Sequence, residues 1–336
     1  MKRFFRIAFV AITGVFAGLA FASTGMVYTA DERNNSLTAI DLKNGKTRTI
    51  KLPLVPHNAQ ISSDRRWVLL VGIGTAAHGK AHDKAAGGRL VLVDTANPSA
   101  RPSEVEVGTH PAHVVADRQG RFAYITDAGD DTVKIVDLAQ GRPVGEIKTG
   151  AYPHGLRMSP DEREIYTANV KDGTVSVLSI AEQREVARIR VGKAPVQVGF
   201  TPDGKLAYVS LRDENRVAVI DRERRLMVAT VRVGDKPIQL YVAPDGKRVY
   251  VANQGTDRKP ANTVSVIETD RNEVVATVTV GRGAHGVVLS DDGAYAFISN
   301  IVDSTVSVIE TERNTVLRTF KVGKGPNGIT YSGGQR

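Results

Sequence analysis

The chain has 336 residues, with 45 Lys and Arg against 36 Asp and Glu, seven His and no Cys, for a net charge of +9. Without Cys there are no disulfides, no thiolate metal ligands and no lipid-modified N-terminal cysteine. The positive balance is mild, so it permits anionic partners without requiring them.

Residues 1–22 read as a secretory signal peptide. Met1, Lys2, Arg3 and Arg6 make a basic start, and an apolar run from Ile7 to Ala22 ends in the small-x-small pattern Ala20-Phe21-Ala22. The run is short for a membrane span. Its removal lowers the net charge to +6. The mature chain is therefore expected to be periplasmic or secreted, with no remaining transmembrane span and one domain over residues 23–336.

Three strands come first: Met26–Ala30, Ser36–Asp41 and Thr47–Leu52, each with period-2 alternation and β-branched residues. A repeat then begins. Its opening Pro stands at Pro56, Pro111, Pro153, Pro195, Pro237 and Pro326, with Ala284 in place of Pro once, at steps of 55, 42, 42, 42, 47 and 42 residues. A period of ~40–45 residues with several short strands per unit is the mark of a propeller. The unit from Pro153 shows the plan: strands at His154–Ser159, Glu164–Ala168, Thr174–Ser179 and Glu185–Val191, joined by polar turns. No segment has a helical period. The two long steps predict insertions, the first at Gly74–Gly88.

The last unit offers only one strand, Asn327–Tyr331, and the N-terminal three lack a first strand. Joining the two predicts an all-β, seven-bladed β-propeller of four-stranded blades, closed by the C-terminal strand in the N-terminal blade. A closed ring has no open edge to pair with another chain, so a monomer is expected.

The segments Tyr166-Thr167-Ala168-Asn169, Tyr208-Val209-Ser210, Tyr250-Val251-Ala252-Asn253 and the Val-Ser-Val-Ile runs before Glu268 and Glu310 resemble the YVTN-repeat β-propellers of bacterial envelopes. The resemblance covers essentially the whole mature chain and implies the fold. For function it implies only a range: single-stranded DNA binders, cytochrome d1-like haem binders and scaffolds.

Function must lie where the copies differ. In such a blade, the loop before strand one and the loop between strands two and three share one face, here called the top. All seven histidines map there: His57, His113, His154 and His285 at or just after the opening Pro, His110 before it, and His78 and His82 in the first insertion. His57, His154 and His285 share one repeat position, and His113 sits one residue further on. Imidazoles from separate blades converging on the axis suit copper or zinc without any thiolate. Met158 and Asp83 are further candidate ligands. Arg157, Gln197, Gln239 and Asn327 are expected to line the same channel and to touch a cofactor. A haem-like or quinone cofactor is compatible with the array. The bland alternative is turn chemistry and solvated loop histidines.

Basic residues recur on that face too: Lys193, Lys236, Arg282 and Lys324 before the opening Pro, Lys80 and Lys84 in the first insertion, Arg258 and Lys259 in the second. With Tyr152 and Tyr241 as aromatic platforms, such a rim would suit single-stranded nucleic acid or a protein partner. The Asp-Gly pairs at Asp203, Asp245 and Asp292 read as turn residues. No nucleophile elbow, phosphate loop or His-Glu-x-x-His is present. The reading is an exported binding protein for a metal ion, small ligand or cofactor. An interaction module and a metal-dependent oxidoreductase or lactonase-type hydrolase are the alternatives.

Overall fold

The computed structural model describes residues 24–75 and 87–334. Seven four-stranded antiparallel sheets form a ring. Blade 1 orders its strands Pro326–Gly333, Gly25–Asp31, Ser36–Asp41, Thr47–Lys51. The expected closure is therefore present: Tyr28 pairs with Thr330 and Val27 with Tyr331. Blades 2 to 7 begin with inner strands Leu54–Ile61, Pro111–Ala116, Pro153–Met158, Pro195–Phe200, Pro237–Val242 and Ala284–Leu289. Each inner strand neighbours the next around the ring. The only helical turns among the described residues are the 3-10 segments Glu32–Asn34 and Arg212–Glu214.

Sequence dictates this arrangement through alternation. The middle strands of a blade are packed on both faces, so they combine apolar residues with small hydroxyl residues, as in Thr174–Ser179, or carry a short apolar run, as in Arg216–Asp221. The outermost strands, such as Thr47–Lys51, are mostly exposed and polar. One apolar cluster fills every gap between neighbouring blades. The gap between blades 7 and 1 is as well filled as the rest, by Val27, Ile40, Phe297, Val306, Phe320 and Tyr331. The aromatic residue that repeats in strand two (Tyr166, Tyr208, Tyr250, Phe297) is fully buried in these gaps.

Two repeat-wide devices follow from the motif. In the Asp-Gly turns, Asp203 accepts from the Thr201 hydroxyl at 2.6 Å and the Lys205 amide at 3.1 Å, and Gly204 takes φ 69°. These residues are turn chemistry, as their sequence pattern suggests. Second, strand two ends in an Asx residue beneath the glycine that precedes the opening residue of its own repeat. Asn169, Asn253 and Asn300 lie so close under Gly150, Gly234 and Gly281 that an added Cβ would meet them at 2.5, 2.4 and 2.6 Å.

Candidate functional site

The opening Pro fixes where each inner strand starts, and the ladder then breaks. Pairing between strands one and two slips between Pro111 and Val114, Pro153 and Leu156, Pro195 and Val198, Pro237 and Leu240, and Ala284 and Val287. The one or two residues after the Pro are thus released from the ladder at the channel mouth. Hydroxyls of strand two restitch the loosened backbone. Thr126 Oγ1 accepts from the His113 amide at 2.9 Å and donates to the His154 carbonyl at 2.6 Å, so one side chain positions two histidine backbones. Ser210 does the same for the Gln197 amide, at 3.1 Å, and the Ile238 carbonyl, at 2.5 Å.

Three imidazoles converge there. His57, His113 and His154, from blades 2, 3 and 4, place ligand nitrogens within 4.8 Å of one another. Their ring centroids stand 4.8, 5.2 and 6.0 Å apart. His57 Nε2 lies 3.1 Å from His154 Nε2, His154 Nδ1 3.3 Å from the Val196 carbonyl, and Asn327 Nδ2 3.2 Å from His57 Nδ1. One assignment of protons satisfies all three contacts: Asn327 donates to His57 Nδ1, His57 Nε2–H to His154 Nε2, and His154 Nδ1–H to the carbonyl. The last bond is the outer-shell anchor that a metal-binding His needs; in this assignment the Nε2 lone pair of His154 accepts the His57 proton, which a bound ion would displace. His113 Nε2 is buried and has no hydrogen-bond partner among the described residues.

Electrostatics keep the cluster neutral. Burial holds His154 down at about 3 and His113 well below the ordinary histidine value. His57 is lowered as well, by burial first, while nearby Glu32 opposes the shift. Neutral imidazoles are the metal-binding form.

The histidine at the third shared repeat position stands outside the trio but beside it. His285 bonds Gln254 at 3.0 Å through Nδ1 and interacts with Asn327 and His57; burial, with His57 adding to it, pushes it down to about 3 against the opposing pull of Asn327. The trio expected from repeat position (His57, His154, His285) is thus replaced geometrically by His57, His113 and His154. The register break explains this, because residues one and two after the Pro are both released and both can turn inward. Asn327 belongs to the cluster. Gln197 is buried beside it, its Oε1 accepting from the Val198 amide at 3.0 Å, and Gln239 is buried with Nε2 unpartnered. Arg157 lies further down the channel, against Gln60 at 3.5 Å.

Three further expectations need correction. Tyr241 is not on the top face: it lies four residues into its inner strand and lines the cavity at the bottom end of the channel. Met158 lies at the bottom end too, packed beside Val115 and Tyr124, away from the imidazoles. On the rim, Lys236 is paired with Asp213 at 3.2 Å and Arg282 with Asp303 at 2.8 Å, which removes much of the expected positive field. Tyr152 does sit at the top, with Lys171 4.6 Å above its ring. His78, His82, Lys80, Lys84 and Asp83, like residues 1–22, lie outside the described residues.

Sequence reasoning missed Glu32, Thr126 and Gln254. Glu32 accepts from Asn327 Nδ2 at 2.8 Å, so it holds the amide that orients His57. Gln254 is carried to His285 by the second insertion, which extends strands two and three of blade 6 to the pair Gly255–Pro260. The insertion's five extra residues were the available signal; for Glu32 and Thr126 there was none beyond their place in the repeat.

A closed seven-bladed β-propeller with a polar top-face mouth is the class that this architecture defines. The chain belongs to the cytochrome d1 haem-domain family: the family model described as the cytochrome D1 heme domain matches residues 23–241. The match includes the three clustered histidines and stops short of His285. Solved structures agree on the fold. Hydrazine synthase of Kuenenia stuttgartiensis is 20% identical, with TM-score 0.70 over 83% of this chain and 95% of that one. A functionally unknown protein from Desulfotomaculum acetoxidans gives TM-score 0.75 at 17% identity, over 93% of this chain and 100% of that one. Dihydro-heme d1 dehydrogenase NirN in complex with DHE gives 0.65 at 13% identity, over 91% of this chain and 75% of that one. None of the curated proteins matches the chain.

The family raises a haem, and the donor set can be tested against one. An imidazole is a suitable axial ligand for haem iron. Two axial ligands on one iron stand roughly 4 Å apart, twice a metal–nitrogen bond, with the macrocycle between them. His57 and His154 approach to 3.1 Å, so no macrocycle fits between them. A tetrapyrrole would have to lie outside the cluster, where one of the three imidazoles could supply an iron ligand. A lone ion suits the spacing better, since two ligands on a tetrahedral ion lie ~3.3 Å apart.

Proposed function

We propose that this chain is an exported propeller that holds a metal-centred cofactor at its top-face mouth, with His57, His113 and His154 as ligands. The observation that carries this reading is the convergence of three neutral imidazoles within 4.8 Å from three separate blades. Buried imidazoles without partners lose hydration with nothing in return, as at His113 Nε2, and a metal would supply the missing partner. The spacing favours a single copper or zinc ion. In that role His154 is oriented by the Val196 carbonyl, whereas His57 Nε2 would have to give up its proton and the Asn327 amide would have to turn away from His57 Nδ1. A bound ion would supply Lewis acidity or, as copper, electron transfer.

Family membership supports a second reading, a haem-like group lying over the mouth with one imidazole as axial ligand. A quinone gains no specific support from this set of donors. The hydrolase reading is weakened because Glu32 is the one carboxylate bonded into the cluster's network among the described residues. The polymer-binding reading is weakened by the paired rim cations.

The test is loading of the purified full-length mature protein with copper, zinc or hemin, followed by elemental analysis and visible spectroscopy. One ion per chain, lost in the His57→Ala, His113→Ala, His154→Ala triple variant, supports the ion. A Soret band lost in the same variant supports the haem-like group. Failure to take up any of the three, or uptake that survives the triple change, overturns the cofactor reading.

A further inference from the structure

The other end of the channel carries a second, different site. Below the imidazoles the inner strands open into a cavity of about 480 Å³ on the bottom face, large enough for a small organic ligand. The fourth residue after each opening Pro lines it, and the repeats differ again at this position. Gln60, Arg157, Tyr241 and Thr330 are polar, while Val115 and Val288 are apolar and Gly199 has no side chain.

Arg157 is the feature without an explanation. It lies mostly out of water, yet among the described residues it forms no ion pair. Its contacts are the Gln60 Oε1 at 3.5 Å and the face of Tyr241 at 5.9 Å. A guanidinium carries five N–H donors and stays charged, so shielding one without an acid leaves a substantial desolvation cost uncompensated. The one carboxylate that lines the cavity, Asp291, is held by Arg65 at 2.7 Å. The surrounding wall is apolar: Met158, Phe200, Val242 and Leu289.

One unpaired guanidinium above an apolar wall selects for a ligand with one planar anionic head and an apolar body. We propose that this cavity binds a small monocarboxylate, its carboxylate on the fork of Arg157 and its aromatic or aliphatic body against Phe200, Val242 and Leu289. A carboxylate matches the guanidinium fork through two parallel hydrogen bonds. A phosphate group would leave most of its charge and acceptors without partners here. This site is separate from the imidazole cluster and does not depend on a metal.

The experiment is calorimetric titration of the full-length mature protein with phenylacetate, its neutral analogue phenylacetamide, and inorganic phosphate. Phenylacetate is expected to bind at least ~10-fold more tightly than phenylacetamide, the scale of a lost charged hydrogen-bond pair. Arg157→Met is expected to erase that preference and Arg157→Lys to retain part of it. Should Arg157→Met not fold, Val115→Glu keeps the arginine and puts a competing carboxylate into the same cavity, and it is expected to block phenylacetate. Equal binding of the acid and the amide overturns the proposal. So does undiminished binding in Arg157→Met or in Val115→Glu, tighter binding of phosphate than of phenylacetate, or no binding of any probe.

Discussion

Blades 2 to 4 and blades 5 to 7 are built from one repeat, yet they finish the channel mouth differently. The first group presents His57, His113 and His154 to one another. The second presents Gln197, which bonds its own neighbour's amide, Gln239, and His285, which turns to Gln254. The register break recurs in blades 2 to 7, and the hydroxyl stitch occurs in both groups, in blade 3 and in blades 5 and 7, so neither distinguishes the halves. Chemistry arises from two side-chain positions per blade, and the frame limits one of them: at Gly155, Gly286 and Gly328 an added Cβ would meet neighbouring atoms at 2.2, 2.7 and 2.6 Å.

Several changes would break or sharpen that contrast. The largest effect belongs to the shared frame. Tyr208→Ala empties a fully buried position between blades 5 and 6 and is expected to cost ~3–5 kcal/mol, read as a lowered denaturant midpoint. Next comes the half-specific chemistry. His113→Ala is expected to weaken metal retention by about 100-fold, since it removes one of three ligands, while Gln239→Ala leaves retention within about threefold. Competition with a chelator reads both, and equal losses would erase the distinction between the halves.

A smaller effect tests blade 1 against the others. Asp31 stands where blades 4, 6 and 7 have Asn169, Asn253 and Asn300, and it accepts from Thr38 at 2.6 Å and Ser36 at 3.1 Å. Burial raises its carboxyl to about 6, against the opposing pull of those hydroxyls. A carboxyl raised on folding binds its proton more tightly in the folded state. The contribution of this group to stability is therefore full below about pH 4 and is lost as pH rises through about 6. Asp31→Asn is expected to raise stability by roughly 1–2 kcal/mol at pH 8 and to lose that advantage near pH 4, in paired thermal melts. The smallest effect is on the rim: Lys193→Ala is expected to change stability by less than ~0.5 kcal/mol, because a solvated loop lysine contributes little.

The ring, its seven blades and its closure were legible in the spacing of the opening Pro and in the unmatched strands at the two ends. Strand limits such as Thr174–Ser179 coincide in the sequence reading and the structure. The convergence of histidines was legible too, because side and repeat position follow from the fold. Which histidines meet was not. Sequence equivalence pairs His285 with His57, whereas the slip after the Pro lets His113 turn in and an insertion residue takes His285 aside. Tyr241 was misplaced for a related reason: a strand of about six residues carries its far end ~17 Å from its start, so a residue late in it belongs to the opposite face.

Closure has a temporal side. Tyr28 cannot find its partner Thr330 until nearly the whole chain has been made. Until then blade 1 is a three-stranded sheet with a bare inner edge, and the gap that Phe297 and Tyr331 fill lies open. Such an edge invites pairing with other chains. The loop entropy of so distant a contact grows only slowly with its span, so closure is thermodynamically inexpensive and kinetically last. The closing strand acts as a latch: the six other blades wait on it, and loss of the segment Pro326–Gly333 would leave an open, aggregation-prone arc in place of a ring.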